Sequence, residues 1–376
     1  MNHTLADVLP AVASAFGGVA ENTLAVVPAR DIVVLLIDGL GGELLARHPE
    51  VAPALAAGVR RTLRAGFPAT TATSITSLAV GAPCATHGII GYSFAVPSDD
   101  GLANFNALRW RLGSAAGPDA RADHPPEQLQ PYPSTIEGLV ARDIEVHYVV
   151  PGYQATSGLT RAAFRTAGTL HDADTLDAVR DGILRVATHS GTTRRFAYAY
   201  HPALDMTGHL FGSESPEWLA ELSRIDQTVA GLMTDLPGSC TLLITGDHGM
   251  INAGTVIDLD ADPLFRHDVA LISGEARVRH VHAGRPGAVL DIADRWTGGL
   301  AGNARIATRE QALDEHWFGS TPPIATIRQR IGDLIAVAEG DTVLVCPADE
   351  PLESAMIGHH GSWTDDEQAV PLISNR

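Results

Sequence analysis

Four segments of this sequence place metal-binding side chains where apolar runs end. They are Asp38 in "LIDGLGG", Asp205 and His209 in "ALDMTGHLFG", Asp247 and His248 in "ITGDHGM", and His360 in "GHHGSWTDDEQAVPLI". Three carboxylates and three imidazoles suit zinc, and two four-coordinate ions need about eight ligand positions, with some open to water and substrate. Two such ions roughly 3.5–4 Å apart clamp the attacking and leaving oxygens of a phosphoryl displacement. Each residue alone has a plainer reading. An Asp after a strand often caps a helix or serves a turn, and a single His is usually a surface or satisfied core residue. The "DMTGH" spacing aligns Asp205 and His209 on one face if the segment is helical. What favours metal chemistry is the conjunction.

A nucleophile candidate lies in "GFPATTATSITSLAVGAPCATHGIIGY", residues 66–92. Thr70, Thr71, Thr73, Ser74 and Thr76 precede an apolar helical stretch. A hydroxyl at a helix start benefits from the positive end of the helix and from free N–H groups, which also suit phosphate. Spacing alone leaves Thr70, Thr71 and Thr73 open.

These groups need a scaffold. Ile32 to Ile37 is a continuous β-branched and Leu run, as in a strand buried on both faces of a parallel sheet. Residues 145–152, 195–205 and 240–245 read as further strands, with Asp205 closing the second. Trp218, Leu219, Leu222, Ile225, Val229 and Leu232 form one stripe of a helix over 215–236. The alternation predicts a three-layer α/β/α sandwich with a mainly parallel central sheet, whose strand C-termini form the active edge. Residues 93–135, rich in Pro, Gly and Asp, read as a long excursion or lid. Residues 256–343 read as a small α+β insertion, leaving 1–255 and 344–376 as the metal-binding core.

Composition bounds the rest. At 376 residues, 45% hydrophobic and 19% charged, the chain can build a sizeable core. A formal charge of −18 argues against a nucleic-acid-binding surface but not against a phosphorylated substrate, because bound cations reverse the sign locally. Cys84, Cys240 and Cys346 are scattered and form no disulfide or metal motif. The N-terminus shows no signal peptide and no run reaches a membrane span, so the expected location is the cytoplasm, without membrane contact.

The ordered blocks 31–42, 66–92, 198–212, 241–250 and 357–373 resemble the alkaline phosphatase superfamily, and within it the type I phosphodiesterase/nucleotide pyrophosphatase family. A strand ending "IDG", "FPxxT" with a downstream "GxPxxxHG", "DxxGHxxG", "DHGM" and a late "HG" carry the resemblance. It implies hydrolysis of phosphate esters or nucleotides through a covalent phospho- or nucleotidyl-threonine on Thr71. It implies one metal on Asp205, His209 and His360, and another on Asp38, Asp247 and His248 with Thr71. His360 is preferred to His359 because the motif places the ligand directly before Gly, and His87 falls on a structural position. The implied ions are two divalent metals, zinc first and manganese second. Diesterases of the family carry Asn three residues after the nucleophile. Here Ser74 stands there, a shorter donor for a phosphate oxygen. A phosphomonoesterase, a phosphonate hydrolase or a non-catalytic metal-binding relative would share the scaffold. The tail "TDDEQAVPLI" also resembles cofactor-independent phosphoglycerate mutases and phosphopentomutases, whereas the CxPxR motif of sulfatases is absent. Tyr92, Phe94, Phe105 and Tyr153 are candidates to stack on a base, and Arg109 and Arg111 to contact a distal phosphate. His280 and His282 share one face of a strand.

Overall fold

The apolar run at Asp31–Ile37 is a strand buried at every position. In the computed structural model, which describes residues 3–99, 101–113, 116–165 and 167–376, it lies at the centre of a seven-stranded sheet. The order is Val59–Arg64, Ala369–Ser374, Cys240–Thr245, Asp31–Ile37, Arg195–His201, Glu145–Val150, Thr169–Asp172. The last five run parallel. Ala369–Ser374 runs antiparallel to both its neighbours.

The two-residue period of the central strand sorts its side chains into two cores. Ile32, Val34 and Leu36 face a cluster that includes Val8, Leu9 and Leu78. Val33, Leu35 and Ile37 face Val179, Ile183, Leu222 and Val229 from helices Leu176–Ala187 and Pro216–Asp235. Both faces are covered, which gives the α/β/α sandwich. In the stripe on Pro216–Asp235, Trp218, Leu222, Ile225, Val229 and Leu232 are buried and Leu219 is partly so.

Between residues 256 and 343 the chain builds a four-stranded antiparallel sheet in the order Val269–Glu275, Val278–Ala283, Leu334–Ala338, Ala304–Thr308. Helix Val289–Gly299 packs Ile292 and Trp296 on it. Thr255–Asp258 and Thr342–Val345 pair in parallel, so the segment leaves and re-enters the core side by side.

The 93–135 segment, expected as a long excursion or lid, carries strands of its own. Ser93–Ser98, Gly101–Asn106 and Arg111–Leu112 form a three-stranded antiparallel sheet. Phe94 and Phe105 sit opposite each other in register and join Trp110, Val278, Ile335 and Val337 in one core. The apolar residues work in cross-strand pairs, so no periodicity along one strand announces them. Phe94 and Phe105 are therefore core residues rather than base-stacking ones.

Candidate active site

The turns after three strands converge. Asp38 follows the central strand, and its N–H donates to His201 O at 3.0 Å while its carbonyl accepts from Asp205 N at 3.1 Å. The segment read as a strand through Asp205 in fact ends at His201. Pro202 removes a ladder donor, and Asp205 sits in the first turn of helix Ala203–Phe211. The four-residue spacing then brings His209 Nε2 to 3.2 Å from Asp205 Oδ2. Asp247 and His248 occupy the turn after Cys240–Thr245, flanked by glycines because nothing larger fits. A Cβ on Gly246 would lie 2.2 Å from Leu40 O, and one on Gly249 1.9 Å from Asp366 O.

Two trios result. Asp205, His209 and His360 bring one ligand atom each within 4.8 Å of one another, and so do Asp38, Asp247 and His248. The stacked rings of His248 and His360, 3.5 Å apart, join the trios. In all three imidazoles Nδ1–H donates to a backbone carbonyl: His209 to Gly358 at 2.7 Å, His360 to Ala69 at 2.9 Å, His248 to Gly249 at 3.0 Å. A carbonyl partner fixes the proton on Nδ1 and leaves each Nε2 lone pair for a metal. His359, by contrast, is turned to Met356 O and belongs to neither trio.

The donor set fits cations on electrostatic grounds. Asp38 Oδ1, Asp205 Oδ1 and Asp247 Oδ2 are buried without a hydrogen-bond partner among the described residues. Burial, then the Asp247 and Asp205 charges, pushes the Asp38 carboxyl well above its ordinary range, and burial likewise raises Asp247. Burial also opposes charge on the Asp205–His209 pair, but their mutual attraction prevails. The carboxyl falls below its usual range and the imidazole rises to about 9. Three clustered carboxylates, each with a buried, orphaned oxygen, call for positive charge between them. Two oxygens and one nitrogen, beside one oxygen and two nitrogens, suit divalent ions.

Thr71 is the first residue of helix Thr71–Val80, and its Oγ1 lies 3.2 Å from His248 Nε2. Its neighbours are otherwise engaged: Thr73 Oγ1 donates to Ile89 O and Thr76 Oγ1 to Ala72 O. Thr70 provides no side-chain cap, which leaves the first-turn N–H groups for an anion. Ser74 is fully buried and its Oγ has no partner among the described residues. The helix faces the cleft with Thr71 and Ile75. His87 does sit outside the trios. Its Nδ1 accepts from Ile89 N, so Nε2–H donates to Ser77 Oγ at 3.0 Å.

A cleft of about 720 Å³ opens from Asp38, Thr71 and Asp205 toward Arg109, Arg111 and Tyr153. Tyr92 turns instead to Glu353. His280 and His282 are buried away from the cleft. Sequence reading missed Tyr198 and Tyr200, which line the cleft. Tyr200 donates its hydroxyl to Asp38 Oδ2. Two tyrosines inside a strand buried on both faces are the signal available, since a buried phenol needs a polar partner.

Residues 32–363 match the family described as type I phosphodiesterase / nucleotide pyrophosphatase. The chain belongs to this family. Its members are metal-dependent hydrolases of phosphoester and phosphoanhydride bonds. The fold resembles murine ectonucleotide pyrophosphatase/phosphodiesterase 5, with a TM-score of 0.67 and 14% identity over 91% of this chain and 87% of that one. An inactive threonine-to-alanine form of the murine protein in complex with AMP matches with a TM-score of 0.67 and 15% identity over the same shares of the two chains. The human counterpart matches with a TM-score of 0.67 and 16% identity, again over 91% and 87%. Among curated proteins, the catalytic subunits of human and mouse GPI ethanolamine phosphate transferase 3 are each 32% identical over 97 residues, 25% of this chain but only 9% of theirs. No helix among the described residues is long and apolar enough to cross a membrane.

Proposed function

We propose that the chain hydrolyses a small nucleotide or related phosphodiester through a covalent intermediate on Thr71, with two zinc ions in the trios. Asp205, His209 and His360 would hold one ion; Asp38, Asp247, His248 and Thr71 Oγ1 the other. The observation that carries the reading is the pairing of two trios with a helix-start hydroxyl 3.2 Å from one of their imidazoles. The inactive threonine-to-alanine form of the AMP-bound neighbour supports it. When bound, such ions supply Lewis acidity that lowers the pKa of the Thr71 hydroxyl and stabilises charge on the phosphate oxygens.

The protein's own groups do the rest. Thr71 Oγ1 forms a bond to phosphorus in line with the leaving oxygen, and that P–O bond breaks to leave a phospho- or nucleotidyl-threonine. The open N–H groups of the first helical turn hold non-bridging oxygens. Water then displaces Thr71 and restores the hydroxyl. Tyr200 keeps Asp38 oriented throughout. The cleft walls that carry Arg109, Arg111 and Tyr153 receive the leaving group.

Chelation tests this reading. Turnover of bis-p-nitrophenyl phosphate should fall to background after EDTA dialysis, return with zinc, and exceed turnover of p-nitrophenyl phosphate. Full activity after complete metal removal would refute it. Ser74→Ala should have a modest effect. Ser74 is fully buried and is not among the residues lining the cleft; its Oγ supplies at most one neutral hydrogen bond, so kcat/KM should drop no more than about tenfold, ~1 kcal/mol. A loss comparable to that of a trio residue would assign Ser74 a larger role.

A further inference from the structure

A second cavity, of about 480 Å³, lies where residues 95–102 and 123–129 meet the four-stranded sheet. It shares no lining residue with the catalytic cleft. One wall is apolar, with Val96, Leu102 and Leu129; the other carries Arg309, Arg330 and His282.

Arg330 is the unusual member. It is only 7% exposed, yet no carboxylate lies within 4.0 Å of it among the described residues. Its Nη1 and Nη2 donate to Gly88 O at 2.6 Å and Leu129 O at 2.8 Å, and its Nε has no hydrogen bond among the described residues. The "THG" turn makes room for it, since a Cβ on Gly88 would come within 2.4 Å of Nη1. Its guanidinium carbon also lies 5.4 Å from the centroid of the Phe94 ring, but a ring face and carbonyl dipoles leave a net charge in a poorly solvated place, where buried charges are ordinarily paired. Asp333 does not fill that role: it is engaged by Arg309 Nη2 at 2.7 Å and by Ala283 N at 2.9 Å. Asp123 stands at the exposed rim. Arg309 Nη1 makes no hydrogen bond among the described residues. His282, 2% exposed, bonds through neither ring nitrogen, and its Nε2 is buried. Burial lowers the His282 pKa to about 4, so at neutral pH the ring keeps one donor and one acceptor.

We propose that this cavity binds a small organic oxyanion, a carboxylate or phosphate on an apolar body, with Arg330 as counter-charge and Arg309 Nη1 and His282 as directing groups. A guanidinium suits a flat or tripodal oxyanion, the apolar wall accepts the body, and the volume falls within the range of small-molecule sites. A ligand there touches both the 93–135 segment, which also lines the catalytic cleft, and the 256–343 segment. It would tie the two together at a site separate from the metal trios.

The test is calorimetric titration of the full-length, metal-loaded protein with 2-naphthoate and with its uncharged analogue 2-naphthalenemethanol. Naphthoate should bind with millimolar or tighter affinity, and the alcohol at least about tenfold more weakly. Thr326→Trp, at an exposed position on the cavity rim, should weaken naphthoate binding at least about tenfold while the unfolding midpoint stays put. Crystals soaked in naphthoate should place its carboxylate against Arg330. No heat at ~10 mM naphthoate, equal binding of the alcohol, or undiminished binding to Thr326→Trp would overturn the proposal. The readout is binding rather than turnover, so its failure would leave the catalytic reading intact.

Discussion

Replacing Thr71 by alanine lowers the turnover of a phosphodiester by at least about 10³-fold, which corresponds to about 4 kcal/mol of lost transition-state stabilisation. The expectation rests on Thr71 being the nucleophile, so the variant cannot form the covalent intermediate. It should still fold. Alanine is the best helix former, and the only side-chain partner Thr71 has among the described residues is His248 Nε2 at 3.2 Å. The thermal midpoint should therefore stay close to that of the parent protein. Thr71→Ser, which keeps an Oγ on the same backbone, should retain far more activity than the alanine variant. Steady-state rates with bis-p-nitrophenyl phosphate decide the matter, and unchanged turnover in folded, metal-loaded Thr71→Ala would rule out the assignment.

Arg277→Met carries the largest expected effect on stability. Arg277 and Glu367 are both fully buried. The guanidinium grips the carboxylate through Nε at 2.9 Å and Nη2 at 2.8 Å. Arg277 comes from strand Val278–Ala283's approach in the four-stranded sheet, whereas Glu367 belongs to helix Asp365–Gln368 of the core. Glu367 Oε1 also accepts from Ser362 N at 2.8 Å, and Glu367 O accepts from Gly249 N at 2.9 Å. The pair thus anchors the loop after His360 to the turn that bears Asp247 and His248. Removing the cation leaves a buried carboxylate uncompensated, at a cost of about 3–5 kcal/mol. Denaturant unfolding should show that loss, and Arg277→Met/Glu367→Gln should recover much of it because no unpaired charge remains. A single variant as stable as the parent, or a double variant no better than the single, would contradict this account of the pair.

The sandwich was readable because its central strands are built on apolar runs, Ile32–Ile37 and Leu242–Ile244, buried at every position. The same property made the site readable. In a parallel sheet the polar residues must wait for the strand ends, and the turns "IDG" and "GDHG" lie at neighbouring ends in register, Leu36 beside Thr245. Where contacts are made across the chain rather than along it, sequence said less. The hairpin at 93–106 is held by the pairing of Phe94 with Phe105, whose partners are known only once the strands meet. Asp205 lies in a helix because Pro202 stops the strand three residues earlier, and strand and helix readings agree on the residue but not on its setting. Ser74 shows the converse. Its position after the nucleophile is plain in the sequence, but its complete burial, with Thr71 and Ile75 facing the cleft, follows from how the helix packs. The Arg277–Glu367 and Arg330 contacts had no local signature, since each spans a separation of tens to hundreds of residues.

Anomalous scattering from crystals of the zinc-loaded protein, recorded above and below the zinc edge, tests the central claim most directly. Two peaks per chain are expected, one bounded by Asp205, His209 and His360 and the other by Asp38, Asp247 and His248 with Thr71 Oγ1 beside it. Peaks elsewhere, or none within either trio at saturating zinc, would contradict the account.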